Sequence, residues 1–384
     1  MSEEIYYCDG CGGIMEFDIE SQGLKCPNCG NMQKIKAKSK DVVEHTFTKR
    51  KAQSIPVQEK TSHTMDCKGC GAQVEVAADC TATECPYCGS SYVLAEKQEA
   101  AIIPDGVLTF QVDKHKAGEI FTKWINKRWL APGTLKNLYE KDKLQGVYVP
   151  YWTFDADTIC DYHAEGGKHR KEKTKNANGE EVTKTVTDWY SVHGRVKNFF
   201  DDVLVKASKN MKGSLLKGVE PYDTKKIKPY SPTYLSGYGA ECYTVSLEDA
   251  HKDAVRQMET ELRSMSRAQV LKKYDEVRNL SVDIEYRDET YKHILLPVYA
   301  TAYNFKGKTY SVLINGQNGK IKGQYPKSPL KIAVIVLIVL GIIGGIFAAK
   351  SCSGDSNNDF GYNVATEAYM DVDMNEYEIE DYNI

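Results

Sequence analysis

The chain lacks the short motifs that identify several common classes of enzyme. It has no GxxxxGK[ST] loop to bind nucleotide phosphates, no HExxH metal site and no GxSxG nucleophile turn. Carboxylate pairs such as Asp201-Asp202 occur in most proteins of this size. The histidines of the middle region are scattered singly, as packed or solvated histidines are: His115, His163, His169, His193 and His251. We therefore expect that the protein is not an enzyme.

A secretory signal peptide is also absent, since the opening Met-Ser-Glu-Glu-Ile-Tyr-Tyr has neither a basic nor an apolar segment. Disulfides form in oxidising compartments, which a protein without such a signal is not expected to enter. The 12 cysteines of the chain are therefore expected to be reduced thiols or metal ligands.

Eight of these cysteines form an internal repeat in the first ninety residues. Two units of the form C-x2-C-x14-C-x2-C follow one another, and their four cysteines are offset by the same 59 positions. Two Cys-x-x-Cys pairs together supply a tetrahedral four-thiolate shell, which Zn²⁺ favours. The predicted ligands are Cys8, Cys11, Cys26 and Cys29 in the first unit, and Cys67, Cys70, Cys85 and Cys88 in the second.

Two alternatives to zinc remain for this repeat. An iron–sulfur site or a rubredoxin-type iron site uses similar cysteine pairs, whereas a redox-active Cys-x-x-Cys pair normally stands alone near a βαβ unit. The duplicated pattern favours two zinc ribbons with two structural Zn²⁺ ions, because four protein ligands leave no open position for water or substrate. Each ribbon is too small to bury a core, so metal binding is expected to stabilise its fold.

A continuous apolar segment lies near the other end of the chain. Residues 332–349 are eighteen apolar residues without a charge, bounded by Lys331 and Lys350. Such a helix is about 27 Å long, close to the hydrocarbon thickness of a bilayer. Lysines precede it, whereas residues 351–384 contain nine acidic residues and no basic one. The positive-inside rule then predicts a single-pass cell-membrane protein with its N-terminus in the cytoplasm and its C-terminus outside.

The region between the ribbons and the apolar segment predicts an α+β domain built on an antiparallel sheet. Residues 113–130 and 246–277 have helical patterns, the second opened by a capping box at Ser246 and Asp249. Residues 157–170 and 182–192 read as arms of a hairpin around Asn178-Gly179. Two or three strands are expected between residues 280 and 313.

The predicted organisation therefore has six parts. They are zinc ribbon 1 at 1–35, a basic linker at 36–62, zinc ribbon 2 at 63–98, the α+β domain at 105–326, a transmembrane helix at 332–349 and an acidic extracytoplasmic tail at 350–384. Within the helix, Gly341 and Gly345 form a GxxxG spacing that allows two helices to approach, so a homo-oligomer is one predicted partnership. Cys352 is expected just outside the membrane, either unpaired or in an intermolecular disulfide.

Several stretches resemble one group of bacterial membrane proteins. The stretches are VYVPYWTF (147–154), DWYSVHG (188–194), PYSPTYLSGYGAECYTV (229–245) and ILLPVYATAYNFKGKTYSVLINGQNGKIKGQYP (294–326). The group, YdjG-like proteins, combines TFIIB-type zinc ribbons with such a domain and a terminal membrane helix. The resemblance implies association with membrane-stress proteins of the phage-shock A and flotillin-like (SPFH) types.

Two functions follow as expectations. The first is a membrane-anchored adaptor whose zinc ribbons recruit cytoplasmic or membrane proteins. The alternative is a membrane-tethered nucleic-acid binder, favoured by basic residues that give salt-dependent binding to phosphates. These basic residues lie between the ribbons and near the predicted hairpin turn: Lys34, Lys36, Lys38, Lys40, Lys49, Arg50, Lys51, Lys168, Arg170, Lys171, Lys173 and Lys175. Lysine-rich linkers are commonly solvated, and lysines near a cytoplasmic leaflet also attract anionic lipids. The adaptor is the preferred interpretation.

Overall fold

The fold is a sheet-rich α+β arrangement, described from a computed structural model. The structure describes residues 6–35, 41–49, 52, 62–66, 73–77, 80–84, 91–93, 103–132, 144–175, 179, 181–209, 211, 213–241, 243–306 and 308–352. The chain divides into two compact units, Met1–Lys327 and Ser328–Ile384. The cysteines predicted for ribbon 2, namely Cys67, Cys70, Cys85 and Cys88, lie outside the described residues, and so does most of the tail.

Sixteen strands, four α-helices and two short 3₁₀-helices (Thr224–Lys226 and Pro232–Leu235) are present among the described residues. The strands before the domain are β1 (Glu16–Asp18), β2 (Gly23–Lys25), β3 (Met32–Gln33), β4 (His45–Thr46), β5 (Ser62–Asp66), β6 (Gln73–Ala77), β7 (Cys80–Glu84) and β8 (Ser91–Val93). Those that follow are β9 (Gly106–Val107), β10 (Gln145–Lys175), β11 (Glu181–Lys206), β12 (Lys228–Pro229), β13 (Gly239–Glu241), β14 (Glu276–Phe305), β15 (Lys308–Asn315) and β16 (Ile321–Gly323). The helices are α1 (Lys114–Asn126), α2 (Gly213–Val219), α3 (Leu247–Leu271) and α4 (Pro329–Cys352).

Three long strands dominate the main sheet of eleven strands. β10 lies between β11 and β14 and is antiparallel to both. At about 3.3 Å per residue, its 31 residues extend over about 100 Å. The predicted hairpin is confirmed, but both arms are longer than the sequence pattern indicated. The strands expected after residue 280 are a single 30-residue strand, β14, followed by β15 and β16.

One face of the three long strands is covered by α3. Alternate apolar residues of β10 between Trp152 and Ala164 belong to the apolar cluster under this helix, including Phe154, Cys160 and Tyr162. The helix contributes one side of its surface to the same cluster, through Ala250, Ala254, Met258, Leu262 and Val270. We call this the covered face, and the opposite face of the same strands, which carries Asp157, Asp161 and Glu165, the open face.

The helix starts follow their predicted signals. The Ser246 hydroxyl oxygen accepts a hydrogen bond from the backbone N–H of Asp249 at 3.1 Å, which confirms the predicted start of α3. The Asp113 carboxylate similarly accepts from the N–H of Lys116 at 2.7 Å and begins α1. Both helices are shorter than predicted: α1 ends at Asn126 instead of residue 130, and α3 ends at Leu271 instead of residue 277.

Helix α4 forms the second unit. The predicted 332–349 segment lies inside it, and among the described residues it is the one helix long and apolar enough to cross a membrane. Its 24 residues correspond to about 36 Å, against a hydrocarbon core of about 30 Å. Gly341 and Gly345 are exposed, and no atom outside their own helix lies within 4 Å of either.

Part of the range predicted as a linker is bound to the main sheet. Strand β4 pairs with Thr290 and Tyr291 of β14. Phe47 stacks on His251 of α3, with ring centroids 3.8 Å apart. Strand β7, inside the predicted ribbon 2, pairs with β13. Both segments therefore extend the sheet of the domain that follows them.

Candidate metal centre

The four cysteines of ribbon 1 lie on two matching turns. In each turn the first cysteine accepts and donates backbone hydrogen bonds that close a tight loop. The Gly12 N–H donates to the Cys8 carbonyl at 2.8 Å, and the Gly30 N–H donates to the Cys26 carbonyl at 2.9 Å. Gly12 and Gly30 have φ values of 70° and 76°, a conformation that favours glycine. The glycine that follows each of these two Cys-x-x-Cys pairs is therefore required by its turn.

The turns bring the four sulfur atoms together. The Sγ atoms of Cys8 and Cys29 are 3.4 Å apart, and those of Cys11 and Cys26 are 3.5 Å apart. All four Sγ atoms lie within 4.8 Å of one another. A tetrahedral ion with metal–sulfur bonds of about 2.3 Å needs sulfur–sulfur separations of about 3.8 Å. The geometry therefore fits one four-thiolate metal ion, as the spacing predicted for this unit.

Local donors favour thiolates at two of these positions. The backbone amide of Gly10 is the main cause that lowers the pKa of Cys8 to about 6, with a contribution from the Asn31 side chain. The backbone amide of Cys29 lowers the pKa of Cys26 in the same way. At Cys29 the Asn31 amide lowers the pKa, but the neighbouring thiols of Cys11 and Cys8 outweigh it and raise that pKa to about 12. A metal ion bound in place of the thiol protons would stabilise all four sulfur atoms as thiolates.

The chemistry of the donor set defines what such an ion can do. Four soft sulfur ligands suit zinc or iron and fill a tetrahedral shell. Cys8 and Cys26 are buried, whereas Cys11 and Cys29 are exposed. Because every ligand comes from the protein, the shell leaves no position for a substrate, and the centre is suited to hold the ribbon together.

Ribbon 1 is packed against the domain that follows it. Phe17 of β1 enters an apolar cluster with Tyr234 and Phe110. The Phe17 N–H donates to the Ser236 carbonyl at 3.0 Å, and the Ser236 hydroxyl donates to the Met15 carbonyl at 2.7 Å. These contacts fix the cysteine turns relative to the sheet.

A second set of contacts centres on Gln22, whose own φ is 52°. Its side-chain oxygen accepts from the Thr109 hydroxyl at 2.7 Å and from the Lys228 amine at 2.8 Å. Its side-chain amide donates to the Phe110 carbonyl at 3.2 Å. No local sequence pattern indicates these residues, because each contact joins segments far apart in the chain.

The carboxylates Asp155, Asp201 and Asp202 also come together, on the bulge between β10 and β11. This group already holds a cation from the protein. The Lys292 amine lies 2.7 Å from an Asp202 oxygen and 3.8 Å from Asp155, and it contacts Glu44 at 2.9 Å. Burial is the main cause that raises the pKa of Asp155. Asp155 and Asp202 therefore belong to an ion-pair network around the buried Lys292, whereas Asp201 is exposed.

The basic residues predicted near the hairpin turn lie at the end of β10. Several are engaged with acidic neighbours: Arg170 contacts Asp188 at 2.8 Å, and Lys173 contacts Glu181 at 3.6 Å. Lys168 and Lys171 are exposed on the same segment. The interribbon residues Lys36, Lys38, Lys40, Arg50 and Lys51 lie outside the described residues.

The chain is similar to a Bacillus subtilis protein named "Uncharacterized protein YdjG", with 28% identity over 345 residues. The match covers 90% of this chain and 95% of the relative. No family model matches the chain, and no solved structure matches it. The likeness therefore extends over nearly the whole of both proteins.

Proposed function

We propose that this protein is a non-enzymatic, membrane-anchored adaptor that recruits cytoplasmic protein partners to the membrane. The observation that carries the proposal is the four-cysteine centre of ribbon 1, whose candidate ligands all come from the protein and which packs against the domain that follows it. Such a centre presents a surface without offering a reactive position. Zinc is the proposed ion in this ribbon and in ribbon 2.

Helix α4 is the proposed anchor. It is uncharged and apolar from Ile332 to Ile346, and none of Pro329–Ile346 is buried in protein. The lysines before it and the acidic tail after it support an N-terminus in the cytoplasm and a C-terminus outside. This orientation also keeps the eight thiolates in a reducing compartment.

The packing of ribbon 1 defines the surface that a partner would meet. Because Phe17 and Gln22 hold the ribbon on the domain, the partner surface includes the exposed part of the ribbon together with neighbouring parts of the sheet. Tyr7 and Met32 are exposed on the ribbon, with 49% and 60% of their surface accessible. Exposed apolar side chains around a rigid metal-bound turn suit protein recognition.

The proposed partners are membrane-stress proteins of the phage-shock A and flotillin-like types, as the resemblance of the sequence implies. A membrane-tethered nucleic-acid binder is the second candidate. The basic end of β10 supports it, but the ion pairs of Arg170 and Lys173 reduce the charge available to phosphates. The adaptor is therefore favoured.

A crosslinked pull-down from intact membranes tests the proposal. We expect a stable protein partner that survives nuclease treatment and is lost in the Cys26→Ser/Cys29→Ser variant, which removes two metal ligands. Cys352→Ser is the matched control, because it removes a thiol from the end of α4 and leaves the ribbon unchanged.

Metal analysis of the same samples makes the result specific. The parent protein is expected to contain about two zinc ions per chain, and the ribbon 1 variant about one. Capture of nucleic acid with loss of all partners after nuclease treatment would favour the second candidate. A partner that binds the ribbon 1 variant as well as the parent would contradict the role given to this ribbon.

A further inference from the structure

The two edges of the long three-stranded sheet differ in how they are protected. On the β14 edge, Arg263 and Arg267 of α3 donate to the carbonyls of Leu280 and Val277, at 3.3 and 3.4 Å. Asn279 and Asp288 adopt positive φ and interrupt the regular strand there. Farther along, β4 and β9 pair with the same edge. Charged side chains, bulges and short covering strands are the usual devices that prevent a strand from pairing with another chain.

Along residues 181–200 the β11 edge has charged side chains too, but in the described residues it has no bulge and no covering strand. Its pairing with β10 runs without a register shift from Lys175↔Glu181 to Ala156↔Phe200, and the irregularity comes only after that point. Among the residues that the structure describes, no strand pairs with its outer side. The contact of Gln257 with the Leu204 carbonyl lies beyond this stretch.

The hydrogen bonds of β10 show which backbone N–H and C=O groups of β11 point outward. The Gly167 carbonyl accepts from the Asp275 N–H, and the His169 N–H donates to the Asp275 carboxylate, so both groups point away from β11. In an antiparallel pair, directly opposite residues share this orientation relative to their partner strand. Trp189 and Thr187, opposite these two residues, therefore direct their own N–H and C=O groups outward.

We propose that this β11 edge, residues 181–200, pairs antiparallel with the same edge of a second copy of the chain. An identical edge pairs with itself about a two-fold axis, and such an interface closes into a dimer. Protection of the β14 edge prevents the sheet from continuing on its other side. Because the β14 edge is protected and the β11 edge is not, the proposed pairing forms a dimer and does not continue into a filament.

Two further features of β11 fit a second copy. Residues 181–200 carry two acidic and three basic side chains, so the net charge of the edge that would pair is small: Glu181, Asp188, Lys184, Arg195 and Lys197. Val182, Tyr190 and Phe199 are exposed large apolar side chains on this strand, and they would gain cross-strand neighbours. Anchoring by α4 in one bilayer would also raise the effective concentration of the two copies.

The test uses the full chain in detergent and a pair of proline substitutions at outward-facing positions. Thr187→Pro/Ser191→Pro removes two outward N–H groups. Thr187→Ala/Ser191→Ala is the matched control, since it keeps both N–H groups. We expect a dimer by light scattering for the parent and the alanine control, and a monomer for the proline variant.

A second variant covers the case in which proline disturbs the hairpin. Thr187→Lys/Ser191→Lys leaves the backbone intact and sets lysines of the two copies near each other, so it should dissociate the dimer at low salt. Zinc content and circular dichroism equal to those of the parent establish that each variant is folded.

Hydrogen exchange separates this interface from association through α4. The outward amides of β11 should exchange at least about tenfold more slowly in the dimer than in the lysine variant. The same difference is expected when both proteins also carry Gly341→Leu/Gly345→Leu, which removes the glycine spacing of α4. Fast exchange at these amides in a dimeric parent would overturn the proposal. Slow exchange in a monomeric particle would do so too, because another part of the same chain would then cover the edge.

Discussion

The covered and open faces of the long sheet are built from alternate residues of the same strands, yet their interactions differ. On β10, Phe154, Cys160 and Tyr162 point into the cluster under α3. Their neighbours Asp161 and Glu165 point the other way and pair with Arg195 and Arg278. Burial of apolar surface stabilises the first face, whereas exposed ion pairs contribute little to the second. The comparison shows that one strand can serve as core on one face and as accessible surface on the other, here from Ala156 to Gly166.

The largest expected effect on stability comes at the end of the long strands away from the hairpin turn, where acidic side chains are buried. Lys292 is 7% exposed and neutralises Asp155 and Asp202. Lys292→Met should lower the free energy of unfolding by about 3–5 kcal/mol, because it leaves buried carboxylates without a cation. Urea denaturation measures the change. Adding Asp202→Asn to this variant should restore part of the loss, and an unchanged midpoint for Lys292→Met would contradict the prediction.

The covered face should respond next, through apolar contacts with α3. Leu262→Ala removes a fully buried side chain and is expected to cost about 2–5 kcal/mol. Leu271→Ala is the matched control on the same helix, because that leucine is 42% exposed. Thermal or urea denaturation should show a much smaller change for Leu271→Ala. Equal effects of the two substitutions would mean that α3 does not cover the sheet as described.

A smaller effect is expected where the covering helix begins. Ser246→Ala removes the side-chain acceptor for the Asp249 N–H and should cost about 1 kcal/mol. Ser246→Asp keeps an acceptor and serves as the control. Hydrogen exchange in the first turn of α3 should become faster in the alanine variant alone.

The smallest effect concerns the ion pairs of the open face. Hydrogen bonds from Arg195 and Arg278 lower the pKa values of Asp161 and Glu165. A lowered pKa in the folded state contributes stability above the pKa of the unfolded chain, and this contribution is lost as the pH falls through the folded value.

The Arg195→Gln/Arg278→Gln variant should therefore lose less stability than the parent between about pH 5 and pH 2, with unfolded carboxyl pKa values near 4 as reference. Urea midpoints at several pH values measure this difference. Lys197→Gln is the control on the same face, because Lys197 lies opposite the apolar Ile159. A steeper loss in the arginine variant than in the parent would reverse the predicted sign.

Local patterns in the sequence predicted those features that depend on neighbouring residues. The Ser246 cap, the hairpin of β10 and β11, and the apolar helix α4 each have a signal within a few turns or strands. The clustering of Cys8, Cys11, Cys26 and Cys29 followed from spacing alone, because a four-thiolate site fixes which residues must meet. Zinc itself, and the corresponding site in ribbon 2, stay predictions.

The contacts between distant segments had no such signal. Gln22 binds Thr109 and Lys228, and Phe17 packs near Tyr234, although nothing in their local sequence indicates these partners. The length of β14 was missed for a related reason. Its alternation continues through two bulges, where the period of two is interrupted and the strand reads as several shorter ones.

The order of the long strands along the chain has a consequence for folding. β10 and β11 are joined at a turn, so their pairing can begin at Lys175↔Glu181 and extend residue by residue toward the base. β14 pairs with the other side of β10, where Gly167 lies opposite Glu276 and Gln145 opposite Ala300. Because β14 follows α3 in the chain, this pairing forms only after α3 has been synthesised. Contacts between residues so far apart in sequence form slowly, because a long loop must close first. During synthesis the apolar face of the hairpin is therefore expected to be exposed to solvent until α3 and β14 have been synthesised and packed on it. In that interval the nascent chain avoids aggregation only by binding chaperones or by folding rapidly.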